Sequence, residues 1–152
     1  MDLATPNEDI RTTLLVDDDA SVLDLVRLHL RKAGIHADIA GGPHDALEKL
    51  ATGRYRVVVS DIDMPEMSGV ELAKRIRELD PLIQVIMLTT GNAFEKLISS
   101  RVAGATDLLS KVHDLACIPA AVSEALERSR RWARLEYTEA EPTPHAPADA
   151  TV

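Results

Sequence analysis

The run "LLVDDD" sets three aspartates, Asp17, Asp18 and Asp19, directly behind an apolar stretch, and "VVVSDIDMPEMSG" sets Asp61 and Asp63 behind another. Two more apolar stretches end in different chemistry: "VIMLTTG" in the hydroxyls of Thr89 and Thr90, and "TDLLSK" in the ammonium of Lys111. If those stretches are neighbouring strands, spaced about 4.8 Å apart, then Asp17, Asp18 and Asp61 crowd one another and repel. A hard divalent cation relieves that repulsion, and Mg²⁺ takes one or two carboxylates while keeping several waters. Lys111 adds a second positive charge and a threonine adds a donor. Cation, ammonium and hydroxyl together suit phosphoryl transfer, where catalysis is mostly positioning and neutralisation of the phosphoryl oxygens. A carboxylate in such a cluster can serve as nucleophile and form an acyl phosphate.

The elements that must position these groups are legible from the apolar pattern. Strands are predicted over residues 12–16, 36–40, 56–60, 84–88 and 106–110. Three of them are apolar on consecutive positions, the mark of strands covered on both faces. Helical patterns lie between them. "SVLDLVRLHLRKAG" opens at Ser21, with Asp19 expected near its cap and Asp24 three residues on, and closes at Gly34; "GGPHDALEKLATG" has Pro43 at a first helical position and Gly53 at its exit. "SGVELAKRIREL" carries the capping box Ser68 and Glu71, and "NAFEKLISSRVAG" pairs Asn92 with Glu95 before Gly104. A fifth helix is expected from about Pro119.

Five β–α units in alternation imply an α/β fold, a parallel sheet with helices on both faces. With right-handed crossovers, the flavodoxin-like doubly wound (βα)5 order 2-1-3-4-5 fits best. Strands 1, 3, 4 and 5 are then contiguous, and strand 2, which ends in Gly41 and Gly42 and offers no reactive group, is an edge. The reactive residues all fall on the carboxyl-end rim.

Composition narrows the class. Hydrophobic residues make up 45% of the 152 and charged residues 28%, which suits one globular domain. A net charge of −8 argues against nucleic acid as the main partner. The single cysteine, Cys117, fits a reducing compartment, and neither a signal peptide nor a membrane-spanning run is apparent. The expected location is cytoplasmic, with no membrane partner. The segment 1–10 and the acidic, Pro/Ala-rich segment 136–152 are expected to be disordered, flanking a domain over 11–135.

"LLVDDD", "VVVSDIDMPEMSG", "VIMLTTG" and "GATDLLSK", in that order, resemble the signature segments of response-regulator receiver domains, CheY-like modules of two-component signalling, here in single-domain form. The resemblance covers roughly residues 10–133. It implies that Asp61 is the phosphoacceptor and that Asp18, Asp61 and the backbone carbonyl of Asp63 hold Mg²⁺, with Asp17 helping through water and the Asp63 side chain facing the phosphoryl region. It implies further that Thr89, rather than Thr90, and Lys111 bind the phosphoryl group and switch on activation. The implied donor is a histidine kinase or histidine phosphotransfer protein, and the implied output is a changed affinity for a downstream protein target, rather than enzymatic turnover. A homodimer through the helix 4–strand 5–helix 5 face is a further expectation.

Two positions depart from the pattern. Val112 stands where receivers usually place a proline after a cis bond. A cis Lys111–Val112 bond would cost about 2.5–4 kcal/mol, so a trans bond or local rearrangement is expected. Leu108 stands where a rotating Tyr or Phe is usual.

These departures keep a second reading open, a receiver-fold adaptor that signals without phosphorylation. A third, a phosphohydrolase of the haloacid dehalogenase type, is suggested by "DID" but opposed by the Met64–Pro65 that follows and by an acid cluster that comes earlier in the chain. The five histidines show no ligand spacing and read as surface residues. Cys117 reads as a small core filler. "RSRRWAR" reads as the solvated end of a helix, with Trp132 as an anchor if it meets a partner.

Overall fold

A computed structural model of the chain describes residues 13–140, except 92. The expected N-terminal disorder, the Asn92 cap and most of the acidic tail lie outside the described residues. The elements alternate as β1 (Thr13–Val16), α1 (Ala20–Lys32), β2 (Ala37–Ala40), α2 (Pro43–Leu50), β3 (Val57–Asp61), α3 (Gly69–Leu79), β4 (Gln84–Thr89), α4 (Ala93–Val102), β5 (Asp107–Ser110) and α5 (Ile118–Ala140). The strands form one parallel sheet in the order β2-β1-β3-β4-β5, as the alternation predicts.

β1, β3 and β4 are apolar on consecutive positions because both faces are buried. In β3, Val58 packs with Leu14, Val16, Val85 and Met87 against α2 and α3. Its neighbours Val57 and Val59 pack with Leu15, Ile86 and Leu88 against Leu23, Val26 and Leu30 of α1 and against Ile118 and Val122 of α5. Each fully buried Val, Leu or Ile contributes about 1.5–3 kcal/mol by leaving water. The two apolar layers clamp β3 at the centre of the sheet, which fixes the position of Asp61 at its end.

Local signals account for most helix boundaries. Ser68 caps α3, its Oγ accepting from the Glu71 backbone N–H at 3.2 Å. The Glu71 carboxylate lies 3.8 Å from Arg75 instead of turning back to complete the capping box. Pro43 is the first residue of α2, as its missing N–H favours. At α1 the helix opens at Ala20, one residue before Ser21, and Asp19 is its cap as expected: its carboxylate accepts both the Ser21 N–H at 2.9 Å and the Ser21 hydroxyl at 2.5 Å. Those hydrogen bonds are also what hold the Asp19 carboxyl below its usual pKa.

Two other expectations change. Cys117 is exposed rather than a core filler, because it ends a short 3₁₀ turn, Leu115–Cys117, ahead of α5. The helix α5 continues to Ala140, so 136–140, assigned by composition to the tail, belongs to the helix backbone. No helix among the described residues is long and apolar enough to cross a membrane.

Candidate functional site

Register brings the sequence-selected residues to one rim. Val16 pairs with Ser60, so Asp17 and Asp61, each the next residue, leave their strands at the same level. Asp61 pairs with Leu88, which places Thr89 one residue further along β4; Thr89 in turn pairs with Ser110, which Lys111 follows. Asp17, Asp61 and Thr89 are 2%, 5% and 1% exposed, while Asp18 and Asp63 face solvent.

The carboxylates of Asp17, Asp18 and Asp61 present ligand oxygens that all lie within 4.8 Å of one another. Lys111 enters this cluster, its Nζ 2.6 Å from Asp17 Oδ2 and 3.1 Å from Asp61 Oδ1. The Asp19 N–H donates to Asp17 Oδ1 at 2.9 Å, and the Asp63 N–H donates to Asp61 Oδ1 at 3.3 Å. A hard divalent cation fits this donor set, because three carboxylate oxygens converge and one lysine offsets only part of their charge.

Burial, followed by the charge of Asp17, pushes the Asp61 carboxyl above its usual pKa, against the opposing pull of Lys111. Burial alone would depress Lys111, but its hydrogen bonds to Asp17 and Asp61 and their charges outweigh that and raise it. A carboxyl with a raised folded pKa binds protons more readily in the native state, so stability falls as pH rises through the window above its unfolded value of 3.8. Asp61→Asn, neutral at every pH, is therefore expected to raise the urea midpoint at pH 7 in metal-free buffer. The advantage shrinks as pH falls toward 3.8, and paired denaturation curves across pH check it.

The departure at Val112 leaves Lys111 in place. The Lys111–Val112 bond is trans. The lysine is held by its own N–H, which donates to the Thr89 carbonyl at 2.9 Å. The turn beyond it is organised by two side chains. Ser110 Oγ accepts from the Val112 and His113 N–H groups at 3.2 Å each, and Asp114 Oδ2 accepts from the Ser110 N–H at 2.8 Å. Leu108, the other departure, is half-buried against the α2–α3 side of the core. Thr89 Oγ1 accepts from the Gly91 N–H at 3.2 Å, and Thr90 is exposed.

The loop that carries the chain from Asp61 to α3 is pinned at both ends. Met64 and Met67 are buried in the core, and the Gly69 N–H donates to the Ile62 carbonyl at 2.8 Å. Gly69 is required there by close approach: a Cβ on it would lie 2.2 Å from the Asp61 carbonyl oxygen. Rather than facing the acid cluster as expected, the Asp63 carboxylate meets Lys96 Nζ of α4 at 2.6 Å. Sequence reasoning missed Lys96, Ser110 and Asp114. An S-x-x-x-D pattern directly around Lys111 is a usable signal for the turn, whereas nothing in the spacing marks Lys96.

A doubly wound five-stranded sheet, with clustered acids beyond β1 and β3 and a lysine beyond β5, defines a CheY-like receiver. The chain belongs to the response regulator receiver domain family, whose profile matches residues 13–123. It is 32% identical over 117 residues to the transcriptional regulatory protein ZraR of Salmonella typhimurium, covering 77% of this chain and 26% of that protein. The chain thus spans about a quarter of the length of that curated relative. Among solved structures it is similar to the chemotaxis protein CheY4 of Vibrio cholerae, with 30% identity and a TM-score of 0.70, covering 76% of this chain and 98% of that one. It is likewise similar to the response regulator TrrA of Thermotoga maritima, solved in complex with Mg(2+)-BeF, with 30% identity, a TM-score of 0.68 and the same coverage. The module is a signalling domain of two-component response regulators.

Proposed function

We propose that the chain is a phosphoacceptor, phosphorylated on Asp61 from the phosphohistidine of a histidine kinase or histidine phosphotransfer protein. The observation that carries this reading is the convergence of Asp17, Asp18 and Asp61 on one point with Lys111 beside them. An Asp61 carboxylate oxygen attacks the phosphorus, the P–N bond to the imidazole breaks, and the ring nitrogen leaves with the electron pair and takes up a proton. Lys111, already 3.1 Å from Asp61, neutralises the phosphoryl oxygens that arrive there. Thr89 would give up its contact with the Gly91 N–H and donate its hydroxyl proton to one of them.

Asp17, Asp18, Asp61 and the Asp63 carbonyl would hold Mg²⁺, which when bound supplies charge neutralisation for carboxylates and phosphoryl oxygens together. The bound ions of the related TrrA support this choice of cofactor.

The added charge biases a protein-binding surface. Ile98 and Val102 of α4 and Trp132 and Leu135 of α5 leave apolar surface exposed for a downstream partner or a second copy. With Leu108 in place of a rotating ring, the output rests on Thr89 and Lys111 rather than on an aromatic gate.

Incubation with a small acyl phosphate and Mg²⁺ tests the reading. The expected product is a base-labile acyl phosphate that requires Mg²⁺ and is absent from Asp61→Asn. No labelling of the folded wild type, or equal labelling of the variant, contradicts it. A target that bound Asp61→Ala as tightly as the phosphorylated wild type would favour the adaptor reading instead.

A further inference from the structure

The Asp63–Lys96 pair joins two segments that no strand pairing connects. Asp63 lies two residues beyond Asp61 in the loop after β3, and Lys96 lies in the first turns of α4. Their charged atoms are 2.6 Å apart, with the lysine side chain 27% exposed and the aspartate 60%. The same ammonium also sits over the loop after β4. A methyl group built on Gly91 would lie 3.0 Å from Lys96 Nζ, and the Gly91 N–H is the group that donates to Thr89 Oγ1. One cation therefore spans the loops that follow the strands of Asp61 and Thr89. It also keeps the Asp63 carboxylate turned outward while the Asp63 N–H stays on Asp61.

We propose that this pair is a latch across the mouth of the acidic site, with Lys96 as a positioning residue: closed, it ties α4 to the loop after Asp61 and restricts the access of phosphodonor and water to that carboxylate. The proposal rests on the phosphoacceptor reading for its kinetic consequence and on the ion-pair geometry for its structural one. A latch and a simple surface charge predict different things. Removing either side of a latch opens the mouth, so Lys96→Met and Asp63→Ala change the rates in the same direction. Removing charges of opposite sign near an anionic donor changes them in opposite directions.

The test is a four-protein comparison of wild type, Lys96→Met, Asp63→Ala and the double variant at about 0.15 M ionic strength, where steering by exposed charges is largely screened. Phosphorylation by a small acyl phosphate with Mg²⁺ is expected to quicken about two- to five-fold in each single variant, the range that loss of one exposed ion pair allows. Acyl-phosphate lifetime shortens by a similar factor, and the double variant is no faster than either single. Opposite signs in the two singles, additive effects in the double, or unchanged rates overturn the latch. Amide hydrogen exchange over residues 96–100 gives a readout independent of phosphorylation. Equal loss of protection in all three variants is expected, and unchanged protection overturns the latch. If the folded wild type accepts no phosphoryl group, the function proposed above fails, while exchange still decides whether the pair restrains α4.

Discussion

Lys111→Met is expected to lose about 3 kcal/mol of stability in metal-free buffer at pH 7, and to lose acyl phosphate formation with it. The side chains of Lys111, Asp17 and Asp61 are only 11%, 3% and 7% exposed. Removing the cation leaves two buried carboxylates facing each other, and the cost of breaking a buried pair from one side is about 3–5 kcal/mol. The lower end applies here because Asp18, at the third corner of the cluster, opens to solvent. Three controls separate this cause from a simple packing defect. Millimolar Mg²⁺ is expected to raise the urea midpoint of the variant more than that of the wild type, since the emptied site keeps three carboxylates and loses a competing ammonium. Lowering the pH narrows the difference, because protonation removes the repulsion. Adding Asp61→Asn to Lys111→Met recovers part of the loss. For the wild type the sign runs the other way in alkali: the contribution of Lys111 is complete below its unfolded value of 10.5 and is lost as pH rises through the raised folded value.

Gly69→Ala is the second large effect. The new Cβ would meet the Asp61 carbonyl oxygen at 2.2 Å, Ile62 Cα at 2.9 Å and the Asp61 carbonyl carbon at 3.0 Å. All three are backbone atoms, so no side-chain rotation relieves the overlap. Either α3 moves off the sheet or the end of β3 shifts, and a forced overlap of this kind costs about 3 kcal/mol or more. Because the strained atoms belong to Asp61 itself, molecules that still fold are expected to accept the phosphoryl group poorly. Gly41→Ala serves as the control, since nothing lies within 4 Å of its added Cβ. Urea denaturation of both variants checks the contrast: a wild-type midpoint for Gly69→Ala contradicts the packing account.

Much of this architecture is written in short-range patterns. The predicted strands differ from β1, β3 and β4 by a residue at one or both ends, because strands buried on both faces must be apolar on consecutive positions. The convergence of the candidate residues is legible for a related reason: in a parallel doubly wound sheet, whatever follows each strand arrives at the same rim. What escaped has physical causes too. Asp19 and Ser21 can both accept a helix N–H, and only the geometry shows that the serine donates to the aspartate. Cys117 looked like core filler because the 3₁₀ turn ahead of α5 interrupts the helical period. The helix reaches Ala140 although the composition begins to change near there. Glu and Ala are good helix formers, so an acidic tail and a helix end look alike over a few residues. Lys96 is one of several lysines on helices, and only the fold brings it to Asp63.

Where the phosphoryl group lands decides whether Asp61 is the acceptor. After reaction with a small acyl phosphate and Mg²⁺, borohydride reduction converts an aspartyl phosphate to homoserine, which tandem mass spectrometry places in the sequence. Homoserine is expected at position 61 alone, formed only when Mg²⁺ is present. Homoserine at position 17, 18 or 63, or none at all in folded protein, would overturn the assignment of Asp61 as phosphoacceptor.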